Sequence, residues 1–570
     1  MPREWKSPTG RRNGQQKEGF IRTGVQPQSL DNHAGNTSAE GTIIGFIDIG
    51  TNSIRLILVR LNPNHSYSVL REDKEVVRLG ESVFKKRILE PGTMDRAVLV
   101  CKKLVEVAQG FAASELYAVA TSAAREARNH AEFLRRLQDE AGLDVKIISG
   151  REESRLIYLG ISSGIHINNQ IAVFVDIGGG STEIILGGQT EYYDLESLGL
   201  GAIRLTSLFL SKSFQKPITS QTYEKMKRHV QKKMVRFIER VNKEKIDAAF
   251  GSSGTIINLA EIACKMFDHD IDRNNLILRY KELQKVIETL RSLPLEQRKQ
   301  VPGINPDRAD IIIGGAVILE TFMEELELKE LTVSYRDLRH GMLIDYLQKL
   351  KGFPQYQSMS VRESSVLRLC RLFNVNEAHA CVVQSLCVEL FDKTKTLGVH
   401  SFGDHERELL GYSALLHDVG NIISFRGHHL HSYYIIQNAE LLGFNQEEIM
   451  LMANIVRFHR KKLPGKKELS FKELDKKNQQ TIFYLSFLLR LAEKLDRSHN
   501  HLVQRVDVSL AEKNTFRLTL HCMEGGCDLE RWSVQSDKKL FEHVLDKKLV
   551  VDVRLAQGKQ VDEEIPSKPL

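Results

Sequence analysis

The sequence predicts an α/β protein with two similar halves, followed by a helical segment and a small α+β segment. Three observations carry this. Residues 46–58 and 174–186 read almost alike: an apolar run, Asp48 or Asp176, a turn rich in Gly and Ser, and a second apolar run, at an offset of 128 residues. Each copy is a strand, a tight loop and a returning strand, and hairpins followed by alternating β and α patterns argue for mixed sheets covered by helices. From Val361 to about Asp496 apolar residues recur at three and four, the helical period. From about Leu502 short strand-like runs return.

In chain order, strands are expected at 43–48, 54–60 and 68–76, then a helix over about 93–112, a strand at 116–120, a helix over about 127–140 and a strand at 145–148. The second half starts at Gln170 with strands, and helices follow around 202–210 and 221–241. A strand at 247–250 feeds Gly251-Ser252-Ser253-Gly254-Thr255 and then a helix; a further helix crosses about 309–325, and a strand follows at 330–334. Lys351-Gly352-Phe353-Pro354-Gln355 reads as a linker. In the last segment strands are expected at 506–510, 516–520 and 549–553, with one helix near 540–545. The expected division is a disordered basic tail (1–41), a first lobe (42–168), a second lobe (169–350), a helical domain (359–500) and a small α+β domain (501–570).

A chain of 570 residues exceeds a single core. Its 42% hydrophobic and 27% charged residues fit a soluble globular protein. No apolar stretch reaches the roughly 18 residues of a membrane span. The first forty residues are rich in Gly, Gln, Asn, Ser and Arg without an apolar core, which reads as a disordered tail rather than a targeting peptide. Seven scattered cysteines, an odd number, favour a reducing cytoplasm. Cys522 and Cys527 are too far apart for a tight metal knuckle, and no second pair completes one.

The net charge of +7 is uneven. Residues 212–245 hold eleven Lys/Arg against Glu224, Glu239 and Glu244; residues 457–467 hold six basic side chains and no acid. Such runs are usually solvated faces, and a track for a long polyanion is the alternative.

The repeated loops suit phosphate. Glycines let several backbone N–H groups approach one hollow. Gly178, Gly179 and Gly180 with Ser181 supply one hollow; Gly50, Thr51, Asn52 and Ser53 supply the facing one. No Lys follows the glycines and the next element reads as a strand, so this is not a Walker loop. Asp176 and Glu183 flank the second loop and Asp48 the first, hard oxygen ligands of the kind that hold Mg²⁺. Glu152-Glu153 follows the strand at 145–148, where a carboxylate could take a proton from an attacking water; taken alone, such a pair usually complements a helix dipole. Gly251, Ser252, Ser253 and Gly254 open a helix whose N-terminus is a natural anion site. Arg125 ends a strand and could clamp phosphate or form a surface ion pair.

These motifs, in order, are Asp-Ile-Gly-Thr-Asn-Ser, Thr-Ser-Ala-Ala-Arg-Glu-Ala, Ile-Ser-Gly-Arg-Glu-Glu-Ser-Arg-Leu-Ile, Asp-Ile-Gly-Gly-Gly-Ser-Thr-Glu and Gly-Ser-Ser-Gly-Thr. The chain thereby resembles the exopolyphosphatase/guanosine pentaphosphate phosphohydrolase family of the actin-like superfamily, over about 42–350. The resemblance implies a two-lobed, ribonuclease-H-like core with the site in the cleft. It implies Glu153 as general base, Glu183 as second catalytic carboxylate and Asp176 as metal contact. Arg125 and the loops at 50–53, 178–181 and 251–254 would bind phosphate. The expected activity is Mg²⁺-assisted release of terminal phosphate from inorganic polyphosphate. The rivals are hydrolysis of guanosine pentaphosphate by the same site, an alarmone- or nucleotide-sensing protein, and an actin-like kinase. A cytoplasmic homodimer is expected, with no membrane and no specific nucleic acid as partner.

The helical segment resembles the HD-type metal phosphohydrolases: His379, His417-Asp418 and Asp496 keep their His…His-Asp…Asp order. The resemblance implies that these four could hold a second metal, with His428, His429, His431 and His459 as further ligands or phosphate contacts. Long members of the exopolyphosphatase family carry such a region, often with an incomplete metal set, and a relic fold that only packs and binds polyphosphate is the alternative.

Overall fold

The computed structural model describes residues 41–167, 170–210, 215–241, 244–272, 275–350, 359–460, 474–511, 514–523 and 525–555. The expected tail over 1–40, the 351–355 linker and residues 461–467 of the second basic run lie outside the described residues.

Strands β1 (Thr42–Ile49), β2 (Ser53–Leu61), β3 (Tyr67–Val76), β4 (Glu115–Ala120) and β5 (Val145–Ile147) form one sheet in the order β3-β2-β1-β4-β5. Strands β6 (Ala172–Ile177), β7 (Thr182–Gly187), β8 (Tyr192–Leu198), β9 (Ala248–Ser252), β10 (Leu276–Arg279) and β11 (Glu330–Val333) form a second, in the order β10-β11-β9-β6-β7-β8. The shared pattern is an antiparallel meander whose first strand is flanked on its other side by a parallel strand: β1 beside β4, β6 beside β9. The repeat in sequence is thus a repeat in topology, and the mixed α/β, two-lobed expectation holds. The central strands β1 and β6 are buried almost throughout, as strands covered on both faces must be. The edge strand β10 has only four residues and is invisible as a sequence run.

Two helices tie the halves together. Gly150–Ser162 follows β5 of the first sheet yet packs on β7 and β8 of the second, and Leu338–Lys349 follows β11 yet packs on β1. They cross at Gly160 and Gly341, where any Cβ would collide with the partner backbone, at Asp337 and Leu156 respectively. Glycine here permits backbone-to-backbone approach. Phe46, Tyr158, Phe174 and Leu343 share one core around this crossing, drawn from both halves.

The helices Val361–Leu372, Glu377–Thr396, Asp404–Leu416, His428–Asn438, Gln446–Phe458 and Lys476–Leu495 precede a three-stranded sheet of β12 (Val503–Ala511), β13 (Thr515–Cys522) and β14 (Lys548–Leu555). The expected division at residue 500 falls inside one continuous cluster of buried side chains, from Leu386 and Leu485 to Val506 and Leu518. The sheet packs its apolar face on helix 377–396, and Lys393 reaches Asp507 at 2.7 Å. Two helices, Asp528–Ser536 and Lys538–Leu545, stand where one was expected; the first is polar apart from Leu529, Trp532 and Val534 and shows no clear period. Cys522 and Cys527 form a disulfide, a pairing that the reducing-cytoplasm reading does not anticipate. Among the described residues no helix is long and apolar enough to cross a membrane.

The basic helix Ser220–Val241 lies on the outside of the second half, packed on Ile312–Glu325. Its Lys227 pairs with Glu324 at 2.5 Å, and its Arg240 with Asp194 and Glu196 at 2.6 and 2.7 Å. None of its described residues lines the cleft between the halves.

Candidate active site

The β1–β2 and β6–β7 turns are built alike. The Gly50 amide donates to the Ser53 carbonyl at 3.1 Å, and the Gly178 amide to the Ser181 carbonyl at 3.0 Å. In register, Asp48 stands opposite Arg55 and Asp176 opposite Glu183. The duplication is therefore chemically asymmetric, with a cation in one copy where the other has a carboxylate. The two turns face each other across a cleft of about 700 Å³. They touch at Gly179 and Gly180, where a Cβ would sit about 3 Å from Thr51 and, at Gly180, collide with Phe84. Arg204 braces this loop: its Nε donates to the Gly180 carbonyl at 2.6 Å, its guanidinium lies 4.0 Å over the Phe84 ring, and it pairs with Glu126.

Glu153 is fixed by its helix. Ser149 caps the helix by accepting the Glu152 amide at 3.1 Å, so Glu152 faces out to Arg155 and Glu153 faces the cleft, 6% exposed. Glu152 thus takes the ordinary helix-start role and Glu153 does not. Arg125 lies in a short helix (Ser122–Glu126) after β4, rather than at a strand end. Its Nη1 donates to Glu153 at 2.9 Å and to the Ile148 carbonyl at 2.8 Å. It lines an adjoining recess with Gly150, Ser181 and Ser197, not the hollow between the loops.

The third loop divides. Gly251 and Ser252 belong to β9, and the Ser252 hydroxyl donates to Asp176. Ser253 and Gly254 line the cleft. Ser253 has φ +96°, a conformation L side chains rarely adopt and one that clusters at functional sites. It caps the helix Gly254–Met266 by accepting the Thr255 and Ile256 amides. A Cβ on Gly254 would collide with the Arg308 guanidinium, so the glycine seats Arg308 against this helix N-terminus.

The carboxylates are crowded. Burial pushes Glu153 up to about 7 against the opposing pull of Arg125, with Asp48 and Asp176 adding to the rise. Burial raises Asp48 to about 6, with Arg55 opposing. Asp176 is raised by burial despite its Ser252 bond. Glu183, which accepts the Ser197 hydroxyl at 2.7 Å, is raised well above its usual value by burial and by Glu153 and Asp176. Asp48 Oδ1 is buried without a hydrogen-bond partner among the described residues. Three buried carboxylates, Asp48, Glu153 and Glu183, and the half-buried Asp176 thus crowd one cleft, each disfavouring ionisation, and carboxylate oxygens are the donor type that a hard cation takes.

Sequence reasoning missed Arg55, Arg308 and Asp337, all in the cleft wall. Arg55 donates to Asp337 at 2.8 Å. Burial lowers Arg308 to about 10, with Arg55 adding to the fall. Arg55 was findable, because it occupies the place of Glu183 in the other copy. Arg308 and Asp337 carry no such signal: Asp337 with His340 reads as a capping box at a helix start, and is one.

In the helical domain the structure brings His379, His417 and Asp418 together, and with them His428 and His459. Asp496 is beside them: its carboxylate takes the His379 Nδ1 at 2.7 Å, and it is in neither group of converging ligand atoms.

Facing glycine loops that can seat a phosphate, beside a buried carboxylate that can take a proton, define an enzyme of phosphoryl transfer. The matches with known proteins narrow the class. Residues 58–350 match the Ppx/GppA phosphatase family and residues 361–539 match Ppx/GppA phosphatase domain III. The chain belongs to this family, whose members are phosphatases that hydrolyse phosphoanhydride bonds. It is 27% identical over 478 residues to a guanosine-5'-triphosphate,3'-diphosphate pyrophosphatase of Photobacterium profundum, covering 83% of this chain and 90% of that one. It is similar to the crystal structure of an exopolyphosphatase from Cytophaga hutchinsonii (26% identity, TM-score 0.51, 55% of this chain and 99% of that one). A solved exopolyphosphatase-like protein is similar to the same degree (26% identity, TM-score 0.50, 54% of this chain and 98% of that one).

Proposed function

We propose that the chain is an exopolyphosphatase that releases terminal phosphate from inorganic polyphosphate. The observation that carries this is Glu153, buried at the meeting of the two glycine loops and held by Arg125 at 2.9 Å. In this reading the terminal phosphoryl group sits between the loops of 50–53 and 178–181, with Ser253, Gly254 and Arg308 on its far side. Glu153 takes the proton of a water whose oxygen attacks the terminal phosphorus. The bridging P–O bond breaks, orthophosphate forms, and the shortened chain leaves with the electron pair. The loop amides, the helix N-terminus and Arg308 stand ready for the charge that builds up, which is most of what such catalysis needs.

Asp48, Asp176 and Glu183 would hold a divalent cation such as Mg²⁺, and the orphaned Asp48 oxygen supports that assignment. Bound there, the cation supplies charge neutralisation to the transferring group. Arg125 acts in this reading as the partner of Glu153 rather than as a phosphate clamp. The helical domain is read as HD-like, and the protein as a cytoplasmic homodimer.

The second reading is hydrolysis of guanosine pentaphosphate by the same residues, favoured by the name of the Photobacterium relative. Phosphate release from long polyphosphate and from guanosine pentaphosphate, compared by kcat/KM, separates the two. A clear preference for guanosine pentaphosphate rejects the first reading. Tight binding of either compound without turnover rejects both and leaves a sensing protein.

A further inference from the structure

The seam between the two-halved core and the helical domain holds a cavity of about 820 Å³, within the usual range of small-molecule sites. Leu159 and Ser162 of helix 150–162, Ile344 and Gln348 of helix 338–349, and Ser365 and Arg368 of helix 361–372 line it. It shares no lining residue with the cleft. Among the described residues Arg368 is the one charged side chain on its wall.

The charges at this seam do not balance. Arg336 and Arg368 are both buried, with side chains 7% and 9% exposed. Among the described residues, the one carboxylate in ion-pair reach of either guanidinium is Glu440. It is 52% exposed and lies 3.8 Å from Arg336 and 3.7 Å from Arg368, beyond hydrogen-bond distance. Residues 351–358, which lead to the cavity residue Met359, contain no Asp or Glu. A guanidinium does not lose its proton in a protein, so two buried cations share one anion that water screens.

Their other contacts are neutral. Arg336 lies against Gly164, where a Cβ would collide with its side chain, and its Nε donates to the Gly160 carbonyl at 3.2 Å. Arg368 Nη2 donates to the Glu440 carbonyl at 2.8 Å, and its guanidinium lies 5.1 Å from the Tyr67 ring, which holds it in place without neutralising it. Arg336 Nη2 and Arg368 Nε are buried with no hydrogen-bond partner among the described residues. A buried cation with an unmade hydrogen bond is unfavourable, and an anion that accepts that bond relieves it.

We propose that this cavity binds a small organic anion. Its single acidic group, a carboxylate or a phosphate, accepts the Nε–H of Arg368, and its partly apolar body lies against Leu159, Ile344 and Leu442. Inorganic polyphosphate does not suit the cavity, because its many charges would face these aliphatic side chains with one cation on the wall. The walls come from the core and from the helical domain, so the bound anion touches both. The site is independent of the substrate that the cleft takes.

The test uses the full chain labelled with ¹³C at the methionine methyls, the Met359 signal being assigned by its loss in Met359→Leu. Two probes, 4-fluorobenzoate and 4-fluorophenyl phosphate, are titrated and followed by ¹⁹F NMR, with inorganic phosphate as comparison. At least one probe should bind saturably and shift the Met359 methyl along the same curve, and the one that binds more tightly identifies the acidic group. Arg368→Gln should weaken that binding by about tenfold or more. Thr190→Trp, which puts an indole on an exposed position of the lining, should weaken it as well, whereas Arg308→Gln in the cleft should leave it unchanged. No shift of Met359 with either probe up to millimolar concentration overturns the proposal. So does equal binding of inorganic phosphate there, which would leave the apolar body without a role, or undiminished binding by a folded Arg368→Gln chain. If Arg368→Gln does not fold, the Met359 titration of the parent chain and its loss in Thr190→Trp decide.

Discussion

Replacing Arg125 by Gln tests the base directly. The guanidinium donates to Glu153 at 2.9 Å, where the side chain of Arg125 is 25% exposed and that of Glu153 8%. Burial raises the carboxyl to about 7, and Arg125 is the strongest influence holding it down. A close opposite charge lowers a carboxyl by about 1 to 3 pH units. Water reaching the guanidinium screens this pair, so the low end applies: about one unit, equivalent to about 1.4 kcal/mol. Glu153 must be ionised to accept a proton, so kcat/KM rises with pH as it deprotonates. Without Arg125 that rising limb should move to higher pH by about one unit, with the alkaline plateau largely kept. The assay is phosphate release from polyphosphate across the neutral range, with kcat and KM resolved at each pH. A limb that stays in place while KM climbs would refute the reasoning and make Arg125 a phosphate clamp. A limb that moves toward acid would remove Glu153 as the base.

Glu153→Gln should keep the fold and ligand binding yet cut kcat by roughly 10² to 10⁴, the usual size of a general-base contribution, and near-parental turnover would reject the assignment. Asp176→Asn and Glu183→Gln should each raise the Mg²⁺ concentration needed for half-maximal activity, and full activity of the unaltered chain in excess chelator would remove the cation from the site. Gly341→Ala places a methyl against the Leu156 backbone where the two central helices cross, and should destabilise by about 1–3 kcal/mol or more in denaturant unfolding; an unchanged midpoint would mean that the helices do not cross this closely. Burial raises the Asp337 carboxyl, but Arg339, His340 and Arg55 outweigh it and hold it well below its usual value. The stability it contributes is therefore present above about pH 4 and lost as the pH falls through its folded-state value. Asp337→Asn should cost roughly 3–5 kcal/mol at neutral pH and progressively less in acid, and a cost that grows in acid would contradict the ion-pair account.

The sequence alone determined the duplicated hairpin, because a strand buried on both faces and a glycine turn leave patterns that few other structures produce. Asp48 and Asp176 could be placed at matching strand ends, and the loops at 50–53 and 178–181 at facing turns, from the repeat alone. The histidines and aspartates of the helical domain were also legible as a set. Tertiary structure decided what each side chain faces. Glu152 and Glu153 are neighbours in sequence, and only the Ser149 cap and the packing of their helix turn one to solvent and the other into the cleft. Arg308 and Asp337 reach the cleft from segments more than a hundred residues beyond the second loop, and nothing local marks them. That Asp418 stands in both groups of converging histidines, and that Asp496 stands behind His379, follow from where five helices converge. Local pattern records periodicity and turn chemistry, which act over a few residues. The site is made of contacts between distant segments, and those exist only once the two sheets and the helical core have packed.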